Sequence, residues 1–112
     1  MTEPNIEFIT ATTPKVPGYN ITHFYGVVSG ISFRTGMRSY QRALQTISGA
    51  EGANFIKELK EAREEAVNQA IDEAKKLGAN ALIGLAIETS DLGRSYITVV
   101  SVTGTAVKVE LG

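Results

Sequence analysis

The 112-residue chain has no cysteine, no tryptophan, one histidine and only three prolines. Missing thiols exclude a disulfide framework, a thiolate metal site and thiol catalysis. An excess of positive charge is absent too: 11 Lys and Arg against 12 Asp and Glu leave a net charge of -1. Neutralising phosphates takes a basic surplus, so nucleic acid is not an expected partner. No apolar run approaches the roughly 20 residues of a membrane-crossing helix, and no membrane partner is expected. Met1-Thr2-Glu3-Pro4-Asn5 has neither the basic start nor the apolar run of a signal peptide, which makes a soluble protein of the cytoplasm the expectation. Familiar reaction motifs are missing as well. Gly26-x-x-x-Gly30 lacks the Lys-Ser/Thr of a phosphate loop, and there is no G-x-G-x-x-G or G-x-S-x-G.

What is present is ordinary globular material: 43% apolar and 21% charged residues. The length fits one domain, residues 1–112, with an ordered core over about 6–109. Ile6 to Thr10 is a short β-prone run, and Pro17-Gly18 marks a turn after it. Tyr19 to Phe33 alternates aromatic and β-branched residues with polar ones and predicts a strand. Gly26 and Gly30 within it signal a bulge or a close backbone approach. Met37, Tyr40, Ala43, Leu44 and Ile47 recur at helical spacing and predict a short helix over about 37–47.

Ser48 and Glu51 have capping-box spacing, in which each side chain satisfies an unpaired backbone N–H at a helix start. Phe55, Leu59, Ala62, Ala66, Ala70 and Leu77 then form one apolar stripe, widened by Ile56, Val67, Ile71 and Ala74. Lys75 and Lys76 complement the dipole of the helix end, and Gly78 supplies a left-handed stop. Asn80 to Thr89 and Ser95 to Val109 read as two antiparallel strands joined by a turn at Ser90 to Gly93. The predicted order is β-β-α-α-β-β, an α+β fold with an antiparallel sheet on one long amphipathic helix.

Strict alternation along the third strand puts Leu82 and Ala86 on one face and Ile83, Leu85 and Ile87 on the other. Val100 and Val102 oppose Ile97 and Val99 likewise. One helix covers one sheet face, so the second apolar face needs the short helix, loops or another subunit. Self-association is therefore expected.

Candidate chemistry is sparse. His23 is the one weak metal candidate; as a lone histidine in a strand it reads more simply as a surface or interface residue. Arg34, Arg38 and Arg42 are spaced by four and would form a basic stripe if the short helix began near Arg34. Such a stripe suits an anion, a subunit interface with the Glu-rich long helix, or plain solvent.

Three groups of residues resemble a known family. They are Lys60-Glu61-Ala62-Arg63-Glu64-Glu65-Ala66, Ala74 to Gly84 (A-K-K-L-G-A-N-A-L-I-G) and Val99 to Val107 (V-V-S-V-T-G-T-A-V). Tyr25-Gly26-Val27-Val28-Ser29-Gly30 also fits. Together they resemble the YbjQ-like heavy-metal-binding domain family over about residues 8 to 109. The resemblance implies a dodecin-like α+β subunit assembled as a homopentamer. It brings no catalytic residues to carry over. Where that family commonly reads R-S-G-x-Y-E ahead of the long helix, this chain reads S-G-A-E-G-A-N-F. Metal is implied by the family name alone, and soft metals prefer the thiolates this chain lacks. Dodecins proper stack flavin on aromatic side chains, and the absence of Trp gives that analogy no support.

Three functions follow as expectations. The first is a non-enzymatic homopentameric ring of unknown function that binds a small ligand or a protein partner. The second is a metal-binding or metal-response protein with a site between subunits. The third is an enzyme with an interfacial active site using His23, Tyr25 or Tyr40.

Overall fold

The computed structural model describes residues 8–35, 50–91 and 97–112. The predicted short helix at 37–47, with Arg38, Tyr40 and Arg42, lies outside them, as do Ser48 of the expected cap and residues 92 and 93 of the expected turn. Ser90 and Asp91, expected in that turn, belong instead to a strand, because they pair with Val99 and Thr98. Within them, four strands and one helix follow the order β1 (Ile9–Thr10), β2 (Tyr19–Thr35), α1 (Ala50–Leu77), β3 (Ala81–Asp91) and β4 (Ile97–Leu111). The sheet runs β1-β3-β4-β2. β4 is antiparallel to both β2 and β3, but β1 pairs parallel to β3 at Ile9–Ala81 and Thr10–Leu82. The sheet is thus mixed, not purely antiparallel as expected.

Helix α1 has 28 residues, roughly 42 Å of length at 1.5 Å per residue. It ends as Gly78 enters the left-handed region at φ 98°. The Ala79 N–H then donates to the Ala74 carbonyl at 3.1 Å and the Gly78 N–H to that of Lys75 at 3.0 Å. This paired arrangement satisfies two carbonyls that the helix end would leave orphaned. Asn80 follows and behaves as a piece of strand. Its amide donates to the Val109 carbonyl at 2.9 Å and accepts from the Val109 N–H at 2.8 Å.

The helix lies over β2 and β4 through its alanines. Ala62, Ala66, Ala70 and Ala74 are fully buried with Val28, Leu82, Val100, Val102 and Ala106. Phe55 and Leu59 are half-buried, whereas Ile56 and Leu77 stay largely exposed, so the contact stripe is narrower than the periodicity suggests. Small residues on the helix allow a close approach, and the Ser32 hydroxyl donates to the Ala62 carbonyl. At Gly30 the approach is closest, because a methyl built there would run into the Ala66 carbonyl oxygen.

β3 corrects one expectation. A bulge shifts the register between Ile83 and Ala86, with Gly84 at φ 59°. An inserted residue reverses the facing of everything beyond it. Ile87 therefore pairs with Val102 on the helix side, while Ala86 pairs with Thr103 on the other. Ahead of the bulge, Leu82 opposite Ala106 faces the helix and Ile83 opposite Thr105 does not. Leu82 and Ala86 thus lie on opposite faces, and Leu85 packs with the helix-side core.

Candidate functional site

The second sheet face decides what this fold can do. One end of it is covered. The segment between β1 and β2 folds back so that Val16, with Ile9 and Tyr19, packs on Ala81, Ile83, Val107 and Val109. Its backbone is held by β3, with the Leu85 N–H donating to the Ala11 carbonyl at 3.0 Å and the Gly84 N–H to Thr13 at 2.9 Å. Beyond that cover the face is open. Val27 is 75% exposed, Phe24 70%, Phe33 60%, Ile31 56% and Ile21 44%. These residues share one side of β2. Val27, Ile31 and Phe33 stand opposite Thr105, Ser101 and Val99, and Phe24 and Ile21 opposite Val107 and Val109. Glu88 is the charged residue that β3 adds to this face, across Ser101 from Ile31.

The singled-out polar residues do not converge. His23 is exposed on β2, its register partner is Lys108, and its ring centroid lies 4.8 Å from that of Tyr25. Tyr25 packs on the helix-side core, its hydroxyl near Gly78. That is a packing role, and no carboxylate or nucleophile is aligned with either ring among the described residues. Arg34 sits in β2, which continues to Thr35, and so cannot open a helical basic stripe. Its Nη1 donates to Glu65 Oε2 at 2.9 Å and to the Phe33 carbonyl at 3.0 Å. The Glu-rich helix does receive an arginine, but within one chain. Two buried hydroxyls, Thr89 and Thr98, have no hydrogen-bond partner.

Comparison with known proteins adds the family. A profile described as "Putative heavy-metal-binding", YbjQ-like, matches residues 8–110. The chain belongs to this family. It is 41% identical to a UPF0145 protein of Pyrococcus furiosus over 106 residues, covering 93% of this chain and 92% of that one. It is 34% identical to a UPF0145 protein of Saccharolobus islandicus over 111 residues, covering 97% and 96%. In structure it is similar to a crystal structure of a DUF74-family protein of unknown function from Pediococcus pentosaceus, with a TM-score of 0.63 and 19% identity. That likeness covers 92% of this chain and 98% of the other and speaks for the fold alone.

The residues present do not fit the metal in the family's description. A soft heavy metal needs several Cys, His or Met ligands. This chain has no Cys, one His and two Met. No group of three or more His, Cys, Asp or Glu side chains gathers among the described residues. His23 also has a lysine as its cross-strand neighbour, which repels a cation. Adding Zn(II) or Cd(II) at one equivalent per chain is expected to leave the melting temperature unchanged, because only a ligand bound to the native state raises it. Calorimetric scans with and without metal check this, and a saturable rise lost in His23→Ala would show that His23 is a ligand after all.

Proposed function

We propose that this chain is the dodecin-like subunit of a homopentameric ring in the cytoplasm, without enzymatic activity, that binds a small ligand or a protein partner. The observation that carries the reading is the open apolar face of β2. Burying a Val, Ile or Phe side chain is worth about 1.5–3 kcal/mol when complete. Five half-open side chains therefore leave several kcal/mol unrealised in the single chain, more than soluble proteins ordinarily leave to solvent. The outer side of α1 is no complement to this face, because it presents Lys57, Lys60, Glu61, Glu64 and Glu73, all exposed. Like faces suit each other. Copies arranged about a common axis with these faces inward would cover them, and the number five comes from the family resemblance. No helix is long and apolar enough to cross a membrane among the described residues. The absence of a convergent set of acid, base and nucleophile among the described residues supports binding over catalysis.

The test is a native mass spectrum of protein purified without an affinity-metal step. A mass near five times 12.0 kDa is expected. Additional mass would identify a bound ligand. A monomer at every accessible concentration would end the ring reading.

A further inference from the structure

We infer that Gln69 and the Arg34–Glu65 pair are guards that close the outer edge of β2 against strand addition by a second copy of β2. Among the described residues β2 is the outermost strand of the sheet, so every second residue points its N–H and carbonyl away from β4. The direction is identified at Ile31, whose N–H donates to Gln69 Oε1 at 2.9 Å and not to β4. By alternation Val27, Ser29 and Phe33 point outward as well. The Phe33 carbonyl agrees, since it accepts from Arg34 Nη1 at 3.0 Å. Arg34 is held there by Glu65 at 2.9 Å. Two consecutive outward positions, 31 and 33, are thus occupied by side chains.

The sequence beneath them explains why an occupant is needed. Val27-Val28-Ser29-Gly30-Ile31-Ser32-Phe33 has no charge and no proline and is rich in β-branched and aromatic residues. Such a run pairs readily with its own copy when its edge is bare. Nothing in it repels an identical strand, and an antiparallel pair of identical strands needs only a two-fold axis. Register shifts between Ile21 and His23 and between Phe24 and Gly26 disrupt the first half of β2, leaving 27–33 as the regular part. The guards sit on that part. This use of the edge is separate from the face proposed for the ring and stands whether or not the ring forms.

The experiment compares the full-length chain with Arg34→Ala/Gln69→Ala by light scattering across a concentration series, relative to whatever mass the parent shows. Growth of the double variant to at least twice the parent's mass, rising with concentration, is expected. Unchanged mass with a cooperative melt would overturn the inference. Adding Ser29→Pro distinguishes edge pairing from clumping of an unfolded chain. It removes an outward N–H without breaking a bond to β4. Return to the parent's mass in the triple variant is expected, and growth that persists there would equally overturn it.

Discussion

Gly30→Ala is expected to lower the melting temperature by roughly 10–15 °C, the consequence of about 3 kcal/mol of overpacking in a domain of this size. The reason is local and steric. Gly30 lies where α1 comes nearest the sheet, and the added methyl would meet the carbonyl oxygen of Ala66, with the Cβ of Gln69 also only 3.0 Å away. Both belong to the helix backbone or its base, so no flexible side chain can swing aside. Relief requires lifting the helix, which strips contacts from Ala62, Ala66 and Ala70 together. Thermal melts followed by circular dichroism would measure it, with Ser29→Ala, on the opposite face, as the control. A loss within 2–3 °C, roughly the shift of half a kcal/mol, would mean the helix is free to move outward and that the alanine contact is loose.

Ile31→Lys/Phe33→Lys is expected to dissociate the proposed ring. Both side chains are more than half exposed in the single chain, so the substitutions should leave its own fold nearly unchanged. In a contact between apolar faces, each lysine would have to be buried without a partner. That costs several kcal/mol per copy, and every 1.4 kcal/mol is tenfold in affinity. A thousand-fold weakening or more follows, enough to turn discrete oligomers into monomers at working concentrations. Light scattering together with far-ultraviolet circular dichroism separates dissociation from unfolding. If the parent is oligomeric, a double variant that keeps its mass would show that subunits meet elsewhere, and a monomeric parent would end the ring reading itself. Because the face offers one charged residue from β3, Glu88, parent assembly should also persist in high salt.

Two glycines show how far a pattern carries. Gly26 and Gly30 in a β-prone run indicated a bulge or a close backbone approach, and each alternative occurs: the register shifts beside Gly26, and the helix presses on Gly30. The periodicity could not say which glycine did which, because that depends on where α1 crosses. Gly84 is the opposite lesson. Ala81 to Ile87 is apolar on both alternating sets, so no change in pattern marks the bulge there. Its effect, turning Ile87 to the helix side, was invisible until β4 fixed the register. The conditional basic stripe fails at Arg34 for a similar reason. A spacing of four among arginines mimics a helix, but β2 has enough cross-strand partners in β4 to continue through Thr35.

The amino-acid sequence by itself determined the elements whose causes are local: the long helix with its glycine stop, the aromatic and β-branched strands, the lack of soft metal ligands, and the family. Tertiary structure decided everything that depends on which strand lies next to which. Val16 covers one end of the second face because the segment after β1 is tied to β3. The other end stays open because α1 lies on the opposite side of the sheet. Gln69 meets Ile31 from 38 residues away, because β2 is the edge strand beneath the helix. Local preference is set by neighbours in the chain, whereas faces, edges and covers arise only when distant segments compete for the same backbone and the same apolar surface.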